Sequence, residues 1–320
     1  MKKKHLALFL LACTILTSVT FTGCKKSAKA TQNEYFEKGL NLMDKSDYKG
    51  AVKNFDKALE LSSSVNKKEE DISTHKAAAQ YLSGDKKAAI KTISNLIFYS
   101  KKNPDYYYIR GSFYADQNDF KKADKDYKKA LELNKNDYKM CFSIYENLSS
   151  REYPNNAETY LDKVLSSDSN DGEIYYAKGQ AYLYKGNTKD AMDAFDKAVG
   201  HNYPTGYLGK AKCYKLDGDK KTAASEIVKF EKNEKNSSEK YGKAAEALME
   251  VGNYKEALSS VREGLKLNKI TNEQELRKNE IICLEYLGQF NKAKTKAKSY
   301  VKDYPGDHTM LREWSILSTR

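Results

Sequence analysis

Proline is nearly absent from this chain, with four residues in 320, and glycine is sparse at 17. So few turn formers exclude an all-β protein built from many tight turns. A mean hydropathy of -0.79 excludes a multi-span membrane protein, and the one long uncharged run is Leu6–Gly23. The catalytic signatures are missing as well. There is no phosphate-binding glycine loop, dinucleotide-binding glycine triad, His-Glu-x-x-His pair or Gly-x-Ser-x-Gly elbow. The four histidines, His5, His75, His201 and His308, are scattered and lack metal-ligand spacing, and the five cysteines form no Cys-x-x-Cys pair. The expectation is a protein that is not an enzyme, with no metal and no cofactor.

What the chain does contain is aromatic and charged. Its 25 tyrosines and 11 phenylalanines supply burial area that disordered chains lack. Ala, Leu, Lys and Glu dominate most windows and favour helix. Lysine and arginine (56) outnumber aspartate and glutamate (44), for a net charge of +12. A basic surface draws anionic lipid, acidic polymer or nucleic acid. Here the lysines are interleaved with acids and form no block beyond Lys2–Lys4. They read as solvated helix faces, and no nucleic-acid partner is expected.

The N-terminus carries an address. Lys2, Lys3 and Lys4 precede the uncharged run, which ends Phe21-Thr22-Gly23-Cys24 and is followed by Lys25 and Lys26. Basic start, apolar middle and small residues at a junction are the parts of a secretory signal peptide. The junction resembles the lipobox of bacterial lipoproteins, with Phe21 where leucine is usual. The resemblance implies cleavage after residue 23 and diacylglycerol on Cys24, the expected lipid-attachment site. An uncleaved signal anchor is the alternative, since a run of this length can span a bilayer. Two acyl chains hold a protein where one does not, and Lys25, Lys26 and Lys29 add attraction to anionic headgroups. The expected location is the extracytoplasmic face of the cell membrane. Residues 1–23 are read as signal peptide and 24–31 as lipidated Cys24 plus tether. Cys141, Cys213 and Cys283 fall on buried faces of different repeats and are expected to be structural free thiols.

A short pattern returns along the rest of the chain. It reads Ser46-Asp47-Tyr48…Ala51…Phe55…Ala58-Leu59, then Asn118-Asp119-Phe120…Ala123…Tyr127…Ala130-Leu131. It returns as Gly186-Asn187-Thr188…Ala191…Phe195…Ala198-Val199, and as Gly252-Asn253-Tyr254…Ala257…Val261…Gly264-Leu265. Anchored on the first alanine, the units fall at Ala51, Ala89, Ala123, Ala157, Ala191, Ala223, Ala257 and Ala293, with spacings of 38, 34, 34, 34, 32, 34 and 36. Upstream, Tyr175-x-x-Lys178-Gly179-x-x-Tyr182 supplies an aromatic and a small residue, and Gly39, Ala77, Gly111, Ala211 and Ala245 hold the same small slot.

Eight units of this period resemble the tetratricopeptide repeat family. The resemblance implies an all-α fold: an α-α solenoid of about eight helix pairs wound into a superhelix over residues 32–307, with 308–320 as a capping helix around Trp314. Asp47, Asp85, Asp119 and Asp219 are expected at turns or N-caps, and Gly84, Gly186, Gly218, Gly252 and Gly288 at helix stops. The fourth unit departs, with Tyr145 in the small slot, and Val65–Glu69 reads as a longer connection.

By the same resemblance the first helices line a concave face. Its candidate groove residues here are Tyr81, Tyr108, Phe142, Tyr176, Leu183 and Tyr184, and the alternative is that some of these aromatics belong to the core. No ladder of asparagines stands at Leu40, Ala78, Ser112, Glu146, Gln180, Lys212, Glu246 and Ile282, so a clamp for a peptide's terminal carboxylate is not expected. Asp105, Asp116, Glu146 and Glu173 suit a basic or mixed peptide. The chain is thus expected to scaffold a protein or peptide partner at the cell envelope. Binding of an anionic cell-wall polymer or peptidoglycan is the alternative.

Overall fold

The computed structural model describes residues 28–62, 64–151 and 153–319. The expected signal peptide and Cys24 lie outside them. The described residues form seventeen α-helices and no strand. They run as α1 (Ala28–Asp44), α2 (Tyr48–Glu60), α3 (Lys67–Leu82), α4 (Lys86–Tyr99), α5 (Pro104–Ala115), α6 (Phe120–Leu133), α7 (Tyr138–Ser149) and α8 (Pro154–Leu165). Then come α9 (Gly172–Tyr184), α10 (Thr188–Gly200), α11 (Thr205–Leu216), α12 (Lys220–Asn233), α13 (Ser238–Glu250), α14 (Tyr254–Leu265), α15 (Glu273–Tyr286), α16 (Phe290–Asp303) and α17 (His308–Ser318). The first sixteen make eight consecutive pairs, one per alanine anchor. The described residues divide into two compact units, one up to Tyr160 and one from Leu161 on.

Local chemistry sets the helix ends. Asp47, Asp85, Asp119 and Asp219 each accept a hydrogen bond from the backbone N–H three residues on, at Gly50, Ala88, Lys122 and Thr222. An N-cap satisfies one of the four donors a helix start leaves open. Just before these caps the chain needs one left-handed residue. Gly186 and Gly252 supply it at φ 73° and 80°, where a Cβ would be penalised. In the first and third pairs Ser46 and Asn118 take the same conformation, both at φ 60°.

Two boundaries differ from the sequence expectation. Val65–Glu69 is not all connection: Asn66 caps α3 from Lys67, and Glu69 closes a capping box with it. At the N-terminus α1 begins at Ala28, inside the expected tether. Ala28, Lys29 and Ala30 are helix formers, and Gln32 in the next turn is tied to Glu69 of α3 at 2.9 Å.

All eight alanine anchors are fully buried. In the first, third and fifth pairs the small slot is a glycine that faces an aromatic ring. A Cβ added at Gly39 would stand 2.3 Å from Phe55, one at Gly111 2.7 Å from Tyr127, and one at Gly179 2.4 Å from Phe195. Real Cβ atoms do not come so close, so glycine is what lets each ring lie flat against the neighbouring helix.

A second device ties successive pairs together. In three pairs the residue just before the small slot carries a charge that reaches both the preceding pair and its own second helix. Arg110 holds Asp126 with two bonds, at 2.7 and 2.8 Å, and donates to Ser94 at 3.1 Å. Lys210 stands 2.8 Å from Asp196 and 3.4 Å from Glu226. In the last pair the signs are exchanged: Glu280 sits between Arg262 at 3.5 Å and Lys296 at 2.9 Å. Cys141, Cys213 and Cys283 are free and buried. Burial, then nearby carboxylates, pushes the Cys213 and Cys283 thiols up to about 11. The expected end helix is present as α17, with Met310 and Leu317 buried and Trp314 packed against the core of the second unit.

Candidate partner-binding faces

The candidate side chains stand on first helices of their pairs, three in the first unit and three in the second. In the first unit Tyr81 of α3 is 7% exposed. Its ring stacks on Phe113 of α5, with centroids 4.2 Å apart and planes 6° from parallel. Its hydroxyl donates to Asp116, which also binds Lys86 at 3.0 Å and Arg151 at 3.3 Å. Burial and then the Asp116 carboxylate hold the Tyr81 phenol well above its ordinary range. Burial would raise Asp116, but the Tyr81 hydroxyl and the two cations hold it below the usual carboxylate range. Tyr108 of α5 is also buried, against Tyr127 at 5.8 Å. Tyr127 in turn donates to Asn147 at 2.8 Å. Phe142 of α7 is half-buried.

Tyr81 and Tyr108 are therefore packing residues, not walls of an open groove: the Tyr81 ring joins consecutive pairs, and the Tyr108 ring lies against α6 of its own pair. A heptad-like view of one helix hides this, because neighbouring helices cover them. Beside these rings the partly exposed side chains are Phe142 and the polar group around Asp116, Lys86 and Arg151. Arg151 stands in a turn that lacks the stop glycine and the aspartate cap, so the sequence pattern does not mark it as part of a site.

In the second unit Tyr176 of α9 is half-buried between Phe195 at 5.5 Å and Tyr203 at 5.6 Å. Gln180 donates to its hydroxyl at 3.4 Å. Burial, then Tyr203, pushes the Tyr176 phenol up to about 12. Leu183 packs against the same core cluster, and Tyr184 at the end of α9 is 40% exposed. Further along, α13 presents Glu246, whose carboxyl is raised by burial and then by Glu275 and Glu250. Lys215 balances Glu250 at 2.9 Å. This acidic surface was not picked out by the sequence reading, although Glu246 was placed on the first-helix face. Among the described residues no group of His, Cys, Asp and Glu is arranged to hold a metal ion. No helix there is long and apolar enough to cross a membrane.

Two family models, both described as tetratricopeptide repeat, match this chain: one at residues 35–64 and 104–137, the other at 151–207. The chain carries tetratricopeptide repeats, and these matches fall on α1–α2, α5–α6 and α8–α10. A tetratricopeptide repeat-containing protein of Methanocaldococcus jannaschii is 23% identical over 227 residues, covering 56% of this chain and 40% of the relative. The chain thus spans less than half of that relative's length. Among solved structures, yeast Tom70 is similar at 17% identity and a TM-score of 0.50, over 82% of this chain and 55% of Tom70. A tetratricopeptide repeat protein from Parabacteroides merdae has a TM-score of 0.41 at 17% identity, over 79% of this chain and 99% of its own. The Tom70 likeness agrees with the helix-pair solenoid. At this identity it speaks to fold alone.

Proposed function

We propose that this chain is a lipid-anchored scaffold on the extracytoplasmic face of the cell membrane, attached through Cys24 and holding a protein or peptide partner on the faces of its first helices. Stacked helix pairs are non-catalytic interaction modules as a class, because their repetition creates long binding surfaces. The observation that carries the reading is the composition of the open part of those faces. It combines Phe142, Tyr176 and Tyr184 with carboxylates at Glu146, Glu246 and Glu250. Rings supply contact area at low entropy cost, and acids favour a basic or mixed peptide over a polyanion.

Two experiments test it. Truncated hot-spot aromatics commonly cost about 2 kcal/mol each. The double variant Tyr176→Ala with Tyr184→Ala should therefore weaken a partner crosslinked in membranes at least about tenfold, with helicity unchanged. Capture that survives this variant but disappears in high salt would point instead to an anionic wall polymer, whose hold is screened by ions. For the anchor, a fatty-acid analogue should label the wild-type chain and not Cys24→Ala. Equal label on both would refute attachment there.

A further inference from the structure

In the first unit every large apolar side chain that is exposed among the described residues lies at one edge: Leu61, Val65, Phe98 and Tyr99. Antiparallel pairing creates that edge, because α1, α3 and α5 start where α2 and α4 end. Side-chain bonds fasten it. Gln32 and Ser62 donate to Glu69 at 2.9 and 2.5 Å, and the hydroxyls of Ser100 and Tyr106 donate to Glu70. Phe98 and Tyr99 stand 68% and 63% exposed, ring edge to ring face. Beside them a cleft of about 420 Å³ opens over α3 between α2 and α4, where Leu59, Val65, Leu96 and Tyr99 alternate with polar side chains such as Glu69 and Lys76.

Lysines stand along the same edge. At or beside the connections 61–66, 100–103 and 134–137 lie the exposed Lys67, Lys101, Lys102 and Lys135, interspersed with the exposed carboxylates Glu60 and Glu132. The nearby carboxylates of Glu69 and Glu70 turn inward to the bonds just named, while Asp105 and Asp137 stand at the starts of α5 and α7. The turns at the opposite end carry Asp47, Asp85, Asp116 and Asp119 beside Lys45 and Arg151, and, among the described residues, no exposed large apolar side chain. The start of α1 at Ala28 belongs to the lysine-bearing edge. Three residues separate Ala28 from Cys24, and that length of chain reaches at most about 14 Å.

We infer that this edge of the first unit rests on a bilayer containing anionic lipid. Phe98, Tyr99, Leu61 and Val65 enter the headgroup layer, and Lys67, Lys101, Lys102 and Lys135 lie against its phosphates. Aromatic rings flanked by lysine are the chemistry that settles at a membrane–water interface. The inference rests on lipid attachment at Cys24, which brings the bilayer within reach of this edge and of no other end of the unit. The bilayer is accordingly chosen over a protein partner or a second copy.

The full chain carrying Lys102→Cys or Lys87→Cys tests it, labelled with nitrobenzoxadiazole dye and placed in phosphatidylcholine vesicles with or without phosphatidylglycerol. Lys87 is exposed at the opposite end, and unsubstituted chain measures dye taken up elsewhere. Spin-labelled lipid should quench the Lys102 site at least about twofold more than the Lys87 site, because contact with the charged surface acts only within a Debye length. The excess should need phosphatidylglycerol and should fall when Phe98→Ser and Tyr99→Ser are added. Fatty-acid label on Cys24 is read in parallel. Label without excess quenching overturns the docked edge and leaves the anchor standing. Excess quenching without label supports the edge and removes the anchor. Shielding of the Lys102 dye that grows with protein concentration in the absence of vesicles would make the occupant a second copy and overturn the lipid assignment.

Discussion

Phe195 is gripped from two sides. Added Cβ atoms at Gly179 and Gly209 would stand 2.4 and 2.3 Å from its ring, and the ring is fully buried. Gly179→Ala must push the ring or the helix, and overpacking of this kind costs about 1–3 kcal/mol. Gly200 ends α10 with nothing within 4 Å of an added Cβ, so Gly200→Ala should be neutral or stabilising by up to about 1 kcal/mol. Thermal unfolding of the two variants should move in opposite directions. A shared direction would mean that Phe195 relaxes freely. A second single-residue effect depends on pH. His75 is held between the rings of Phe36 and Phe55. Burial and Lys68 work against its charge, but hydrogen bonds from Nδ1 to Asp71 outweigh them and raise its pKa. A raised folded pKa gives stability that is fully present below about 6.5 and is lost as pH climbs through the folded value. Unfolding should therefore become easier across that window, by less than about 1 kcal/mol for so exposed a partner. His75→Gln should flatten the profile.

Between helices the charge bridges matter more than their surface appearance suggests. Asp126 is buried, with its carboxylate held by Arg110. Arg110→Ala would leave that charge without its guanidinium and should cost about 3 kcal/mol in chemical denaturation. Removing both charges with Asp126→Asn should restore much of the loss. If Arg110→Ala alone is silent, the bridge is solvated and contributes nothing. The same bridges show where a single sequence is legible. The alanine anchors, the aspartate caps and the stop glycines announce themselves, because sterics and backbone donors allow few residue types there. The bridges use Lys76, Arg110 and Lys210, and lysine or arginine on a helix reads as a solvated face. Only alignment of the repeats on the small slot exposes that one register position is basic again and again, and then acidic at Glu280. Tyr81 and Tyr108 were misplaced for a related reason. Periodicity reports which face of a helix is apolar, and it is neighbouring helices that cover these rings. Phe142 is half-buried, and Tyr184 at the end of α9 is 40% exposed.

Stacked pairs that bury their cores against neighbours should lose stability locally. The first unit holds separate buried clusters, one around Phe36 and Phe55 and another around Tyr81 and Ile93. The core that runs from Ala211 to Leu317 belongs to the second unit. In such arrays stability is a sum of repeat terms and nearest-neighbour terms, so damage need not spread along the chain. Phe55 is fully buried and fills the space that Gly39 leaves. Phe55→Ala should cost about 3–5 kcal/mol at its own pair. Backbone amide exchange should then rise in α1, α2 and α3, which share its cluster, and stay near wild type in α14, α15 and α16. A uniform rise from α1 to α17 would show one cooperative unit and contradict the segmented core. Protection that is unchanged everywhere would mean that neighbouring side chains refill the cavity. That is hard to arrange where one wall is the backbone at Gly39 and another is Ala51, side chains too small to move in.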